Sequence, residues 1–177
     1  MTGTKYIPQS LTVLLAAGWL SGALAATPEP TSQQFVTKAT EANLAEIKTS
    51  QIALSKSEDT QVRNFAQEMI DDHTKANERL AALAGRKNLK VPDDTDMMHK
   101  TSLKLLETKS GSSFDKSYIS QMEKDHQKAL QLFRDAAKST NVDVDLKAFA
   151  TSTLPTLQQH EQSVAKLAAS GSGASKR

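Results

Sequence analysis

The fold is decided by the stretch MIDDHTKA at residues 69–76, which sets a histidine into an apolar helical pattern. Apolar residues recur at intervals of three and four on both sides of His73, and this spacing gives an α-helix one buried face. Part of the stretch recurs further along, because DHTKA at 72–76 is followed by DHQKA at 125–129. We therefore predict two long helices, each with a histidine on its buried face.

Four segments of the chain show this helical pattern, and the breaks between them differ in length. The segments cover approximately residues 32–56, 57–85, 113–141 and 143–168. The first and last breaks are short, which makes the helices they join antiparallel, whereas the middle one is long enough to run the length of a bundle. A short helix at 96–108 falls within this middle connection. We therefore predict an all-α fold, a ferritin-like four-helix bundle with a long crossover carrying a short extra helix.

Three of the predicted helices begin at serines that suit a capping position. A hydroxyl oxygen there accepts a hydrogen bond from a free amide of the first turn. The predicted caps are Ser32, Ser57 and Ser113. The last helix contains Pro155, which removes one backbone donor, so we expect a kink about one turn before His160.

The N-terminal region has the composition of a secretory signal peptide over residues 1–25. Lys5 precedes an apolar run at 11–20, and Ala-Leu-Ala at 23–25 forms a small-x-small cleavage site. A membrane anchor is the alternative, but the apolar run is short and contains a glycine. The sequence therefore predicts export to the periplasm or the outer membrane, and a mature chain from Ala26 that is not an integral membrane protein.

Composition divides the rest of the chain into three regions. Residues 26–31 contain two prolines and form an exposed leader. Residues 32–170 form the bundle as one domain, and residues 171–177 are small and polar, which predicts a disordered tail. The side chains expected in the core of the bundle include Phe65, Leu80, Phe133 and Phe149.

Composition also excludes several classes of function. The chain of 177 residues has no cysteine, so it forms no disulfide, carries no lipid-modified cysteine and uses no thiolate ligand or nucleophile. Its net charge is only +2, with acids and bases interleaved, and no basic patch suggests a nucleic-acid partner. It also lacks a glycine-rich phosphate loop and a nucleophile elbow. The sequence names no reaction or substrate and favours a protein that is not an enzyme.

Four polar side chains stand near the middle of the four buried helix faces: Glu46, His73, His126 and His160. Because each is close to the centre of its helix, they can converge on one layer whichever way the helices run. Three imidazoles and a carboxylate suit a single Zn²⁺, Cu²⁺ or Fe²⁺ ion. The sequence therefore predicts one site for a divalent transition metal and no other cofactor.

Three acidic residues near these histidines are candidates for a supporting role. Asp72 and Asp125 directly precede their histidines, about 100° round the helix, which favours a hydrogen bond to a ligand over ligation. Glu123 stands three residues before His126, the Glu-x-x-His spacing of di-iron bundles. The residues three before the other two histidines are apolar, so the sequence does not support a di-iron centre or oxygen chemistry.

Two alternatives remain open. Ile47 and Leu54 can centre the buried face of the first helix, with Glu46 at its edge. The histidines can also form a hydrogen-bonded layer without metal, in a structural or interaction module that binds a protein partner of the cell envelope. His99 lies outside the repeated pattern and is predicted to be on the surface.

Several of these motifs together resemble one protein family. They are FAQEMIDDH at 65–73, FDKSY at 114–118, Asp125-His126, and Leu154-Pro155 followed by His160. On these residues the sequence is similar to the domain-of-unknown-function family 4142, over nearly all of the mature chain. The resemblance implies an exported bacterial protein with a ferritin-like helical bundle, often labelled a predicted outer-membrane protein. It implies no established activity.

Overall fold

Five α-helices make up most of residues 29–173, the part of the chain that this computed structural model describes. They are α1 (Ser32–Lys56), α2 (Thr60–Arg86), α3 (Met97–Glu107), α4 (Gly111–Lys138) and α5 (Val144–Gly173). The described residues contain no strand, which confirms the predicted all-α fold. Residues 1–28 and 174–177 lie outside the described residues, and with them the predicted signal peptide, most of the leader and the end of the tail.

Two antiparallel helix pairs and a long crossover form the bundle. Residues 57–59 join α1 to α2, and residues 139–143 join α4 to α5. The crossover at 87–110 contains α3, which packs on α1 and α4 outside the four long helices. Each long helix contacts two others, because α1 also packs on α4, and α2 on α5. The structure therefore confirms the four-helix bundle with its extra helix.

The last helix is longer than predicted. It contains Pro155 within its length, as expected, and it continues to Gly173, three residues past the predicted end of the bundle at residue 170. None of the helices in residues 29–173 is both long and apolar enough to cross a membrane.

The residues that cap the helix N-termini differ from the predicted serines. Thr31 caps α1 in a capping box, where its hydroxyl accepts from the Gln34 amide at 3.3 Å while the Gln34 side chain accepts from the Thr31 amide at 2.9 Å. Asp59 caps α2 with a carboxylate oxygen 2.7 Å from the amide of Gln61. A reciprocal pair of bonds, or a charged acceptor, outweighs a lone serine hydroxyl. The predictions for Ser32 and Ser57 were therefore wrong by one and two residues, and α4 begins after Ser110, three residues before the predicted cap Ser113.

Several contacts fasten the crossover to α1, among them the hydrogen bonds of Gln33 and the ion pairs of Asp94. The Gln33 side chain donates to the Lys90 carbonyl at 2.8 Å and accepts from the Lys90 amide at 2.9 Å. Asp94 forms ion pairs with Lys48 of α1 and, at 2.6 Å, with Lys100 of α3. Exposed ion pairs contribute little stability, so the backbone bonds to Gln33 are the stronger anchor.

The core consists of two apolar clusters with a polar layer between them. One cluster is built around Phe35, Phe133 and Phe149, whose ring centroids lie 5.2 to 6.5 Å apart. The other contains aromatic rings and methionines: Phe65, Met69, Phe114, Tyr118 and Met122. All four residues predicted in the core are buried: Phe65, Leu80, Phe133 and Phe149. The layer between the clusters is where a polar site can be shielded from water.

Candidate metal centre

One polar side chain from each long helix meets in the layer between the two clusters. Glu46 of α1, His73 of α2, His126 of α4 and His160 of α5 are each no more than 4% exposed. The histidine ring centroids lie 5.4 to 5.7 Å from one another. One nitrogen from each ring lies within 4.8 Å of the others. The structure therefore brings together the four residues that the sequence singled out.

The buried face of α1 is centred on Glu46, as a site in the layer requires. Glu46 is 2% exposed, whereas Ile47 and Leu54 are only half-buried. The alternative in which these two apolar residues occupy the centre of the buried face was therefore wrong. The reason is geometric: Phe35, Ala39, Glu46 and Ala53 recur on one stripe that faces the other helices.

Two of the histidines are held by acceptors that define which nitrogen carries a proton. His126 Nδ1 lies 2.9 Å from the backbone carbonyl of Met122, and His160 Nε2 lies 3.1 Å from a carboxylate oxygen of Asp72. A carbonyl oxygen only accepts, so His126 Nδ1 donates and Nε2 keeps a lone pair when the ring is neutral. The same argument gives His160 a protonated Nε2 and a lone pair on Nδ1.

His73 is held in the same way by a residue that the sequence reading overlooked. Its Nδ1 lies 2.9 Å from the side-chain oxygen of Asn43, which is 4% exposed. Asn43 stands three residues before Glu46 and so lies on the same face of α1. An asparagine at that spacing on a buried face was the available clue. With Asn43 accepting, the His73 lone pair lies on Nε2.

Four buried atoms of these side chains have no hydrogen-bond partner within residues 29–173: His73 Nε2, His126 Nε2, His160 Nδ1 and Glu46 Oε2. Glu46 Oε2 lies 2.7 Å from His73 Nε2 and 3.6 Å from His126 Nε2, which are ion-pair distances without the alignment of a hydrogen bond. A buried polar atom left unpaired costs about 1–3 kcal/mol, and native proteins contain few of them. Four such atoms in one layer therefore need a physical explanation.

The charges in the layer are strongly coupled. Burial raises the pKa of Glu46, but the charges of His126 and His73 outweigh it and lower that pKa to about 2. Burial lowers the pKa of His73, but the Glu46 carboxylate outweighs it and raises the pKa above 6.5. Burial and the two other histidines lower the pKa of His160 to about 4. In the metal-free protein, Glu46 is therefore a carboxylate, His73 tends to hold a proton against it, and His160 is neutral.

This arrangement predicts a pH dependence for the metal-free protein. The unfolded chain binds a proton at His160 near pH 6.5, whereas the folded protein does so only near pH 4. Because the unfolded state binds more protons between these values, the free energy of unfolding falls as the pH is lowered through them, by about 3 kcal/mol at 1.4 kcal/mol per unit. His73, with its raised pKa, changes protonation above this window, and Glu46 below pH 4.5.

Urea unfolding of the metal-free protein between pH 6.5 and 4.5 measures this effect. The His160→Gln variant is expected to lose most of the decrease, while His99→Gln keeps it, because His99 is half-exposed and pairs with Asp96, at 2.9 Å, outside the layer. Equal slopes in wild type and His160→Gln would contradict the assignment.

The three acidic residues predicted in a supporting role lie in different places. Asp72 contacts the layer, but it bonds to His160 of α5 and not to the neighbouring His73. Asp125 pairs with Lys128 at 3.4 Å, and Glu123 is half-buried. Among the described residues, no hydrogen bond or ion pair joins either of them to the four central side chains. Asp72 is thus the one acidic residue of the three that supports the layer.

Comparisons with known proteins agree with the fold and leave the chemistry open. A family model described as "Domain of unknown function (DUF4142)" matches residues 20–167. No curated protein matches the sequence. A DUF305 fragment from Deinococcus radiodurans shares the fold at 15% identity with a TM-score of 0.70, covering 81% of this chain and 97% of the other.

Two further structures have the same fold. A putative secreted DUF305 protein from Streptomyces coelicolor is 14% identical, with a TM-score of 0.66 over 80% of this chain and 93% of that one. CopM in its Cu(II)-bound form is 17% identical, with a TM-score of 0.67 over 81% of this chain and 99% of that one. At such low identities these likenesses show a common fold.

Proposed function

This chain belongs to the DUF4142 family, whose description names no activity, and from this premise we propose that it holds one divalent transition-metal ion in the core of its bundle. The observation that carries the proposal is that four buried atoms of this layer have no hydrogen-bond partner within residues 29–173: His73 Nε2, His126 Nε2, His160 Nδ1 and Glu46 Oε2. A metal ion accepts the lone pairs of all four and so removes the cost of leaving them unpaired.

The second ring nitrogen of each histidine, the one bonded to an acceptor, supports a role in metal binding. His73 donates to Asn43, His126 to the Met122 carbonyl and His160 to Asp72. In metal sites the second ring nitrogen of a ligating histidine almost always donates to such an acceptor, which fixes the tautomer and aims the lone pair at the ion. His126 and His160 therefore offer ordered lone pairs before any ion binds, and His73 offers a third once the ion displaces the proton that Glu46 favours on it.

The ligand set favours holding an ion over catalysis. Four protein ligands complete a tetrahedral site, whereas catalytic zinc sites keep one position open for water or substrate. Three imidazoles and a carboxylate accept Zn²⁺, Cu²⁺ or Fe²⁺. The Cu(II)-bound form of CopM, which shares the fold, supports Cu²⁺ as one of these ions. We therefore assign the protein to metal binding or metal sensing without a reaction of its own.

Export to the cell envelope completes the proposal. The pattern of residues 1–25 supports it, as does the fold shared with a putative secreted protein. Intact-mass measurement of protein recovered from the periplasm is expected to give a chain that begins at Ala26. A chain that keeps residues 1–25 and sediments with membranes would instead indicate an anchored protein.

The second candidate function is an interaction module of the envelope whose polar layer works without metal. The 2.7 Å contact between Glu46 and His73 favours it, since a protonated His73 neutralises the buried carboxylate. The two functions differ in their response to metal. If the layer binds an ion, Zn²⁺ raises the melting temperature of the untagged protein, because an ion that binds only the folded state stabilises it by mass action. If the layer is only polar packing, Zn²⁺ leaves the melting temperature unchanged.

A further inference from the structure

The polar layer reaches toward solvent between α2 and α5. A small cavity of ≈ 20 Å³ at this edge is lined by Asp72, His73 and His160, among others, and has room for about one water molecule or ion. A larger surface groove of ≈ 490 Å³ lies between the same two helices and is lined by Glu68 and Lys166, among others. Glu68 borders the groove, and Asp72 and His160 border the cavity. Glu68 and Asp72 therefore lie between solvent and His160 of the layer.

The same three side chains form a second group of possible ligands. Their ligand atoms lie within 4.8 Å of one another. Glu68 and Asp72 are four residues apart on α2 and so share a face of that helix. Glu68 is half-buried and the Asp72 side chain is 35% exposed, whereas His160 is buried, so water can complete the coordination of an ion here. Two carboxylates and an imidazole suit Zn²⁺, Fe²⁺ and related divalent ions.

We propose that Glu68, Asp72 and His160 Nε2 form an outer site that takes a divalent metal ion from solvent and passes it to the inner site. This inference rests on the proposed function of the inner site. His160 connects the two, because its Nε2 lies 3.1 Å from Asp72, its Nδ1 is buried without a hydrogen-bond partner, and its ring centroid lies 5.4 Å from those of His73 and His126.

His160 serves one site at a time. A neutral imidazole has one lone pair and one N–H. With the ion in the outer site, Nε2 ligates and the proton lies on Nδ1. With the ion in the inner site, Nδ1 ligates and Nε2–H donates to Asp72, so one proton changes nitrogen as the ion moves inward. Asp72 is a ligand in the first state and a hydrogen-bond acceptor in the second, and the chain holds one ion in total.

The outer site binds more weakly than the inner one. It is partly exposed, so its attraction to the ion is screened by solvent and salt. Lys75 also lies 3.7 Å from the other oxygen of Asp72, and Lys166 lines the groove. The inner site has four ligands in a buried layer. An ion therefore moves from the weaker site to the stronger one.

Calorimetric titration of the untagged protein with Zn²⁺ tests the proposal in variants that disable one site each. His126→Gln removes one ligand of the inner site and leaves the three outer ligands. Glu68→Gln removes one ligand of the outer site and leaves the four inner ligands. The control is Glu78→Gln, which removes an exposed carboxylate of the same helix. Glu46→Gln is a second inner-site variant in case His126→Gln does not fold, and circular dichroism checks the fold of every variant.

We expect wild type and Glu68→Gln to bind one Zn²⁺ with the same affinity. His126→Gln still binds one ion, about 100-fold more weakly. Adding Glu68→Gln to that variant lowers its affinity by a further factor of at least about ten, whereas adding Glu78→Gln does not. Either of two results overturns the outer site. The folded His126→Gln variant binds no Zn²⁺, or its affinity stays the same when Glu68→Gln is added. A different result would overturn the inner site. In that case wild type binds Zn²⁺ no more tightly than His126→Gln does, and Glu68→Gln alone lowers the affinity.

Discussion

Replacing Phe133 with alanine is expected to lower the free energy of unfolding by about 3 to 5 kcal/mol. Phe133 is 3% exposed, and its ring packs edge-on against Phe35 at 5.2 Å and lies 6.1 Å from Phe149. Truncation removes buried apolar surface and leaves a cavity between helices that are held on several sides and close only partly around it. Urea unfolding followed by circular dichroism measures the change.

A matched control is Leu105→Ala on α3, where the side chain is 61% exposed. Substitutions at such surface positions usually change stability by no more than about 0.5 kcal/mol. If Phe133→Ala costs less than about 1 kcal/mol while Leu105→Ala costs the same, the aromatic cluster does not pack as described.

Replacing His126 with glutamine is expected to abolish nearly all metal-induced stabilisation. An ion present at 100 times its Kd stabilises the folded state by about 2.7 kcal/mol, and a 100-fold weaker site reduces this to about 0.4 kcal/mol. Glutamine keeps much of the volume of histidine, and its amide N–H can donate to the Met122 carbonyl that now accepts from the ring. The metal-free variant should therefore melt close to wild type.

The measurement compares melting temperatures with and without Zn²⁺ for wild type, His126→Gln and His99→Gln. His99 lies outside the layer and pairs with Asp96, so its replacement should leave the metal effect unchanged. If His126→Gln keeps the full stabilisation, the ion binds elsewhere. If both variants lose it, the effect does not depend on the inner site.

The bundle and its central layer could be predicted because both follow from the period of the helix. Apolar residues at intervals of three and four mark the buried face, so Glu46, His73 and His126 were recognisable as polar residues inside an apolar stripe. His160 was recognisable in the same way on the apolar face of the last segment, near its middle. The long connection between the second and third long helices then fixed the topology.

The supporting contacts were not predictable in the same way. The bond from Asp72 to His160 joins two helices, and it depends on how far one is rotated and shifted against the other, which packing decides. The helix caps were misplaced because several acceptors compete within two or three residues, as Thr31 does with Ser32. Asn43 was overlooked although it stands three residues before Glu46, because a single amide has no periodic pattern of its own.

Calorimetric titration of the untagged, metal-free wild-type protein at neutral pH tests the central claim most directly. At least one of Zn²⁺, Cu²⁺ and Fe²⁺ is expected to bind with a stoichiometry of one ion per chain, and the affinity should rise with pH until the raised pKa of His73 is passed, because the ion must displace that proton. If none of the three ions binds stoichiometrically, the protein does not hold a metal in its core, and the polar layer is structural.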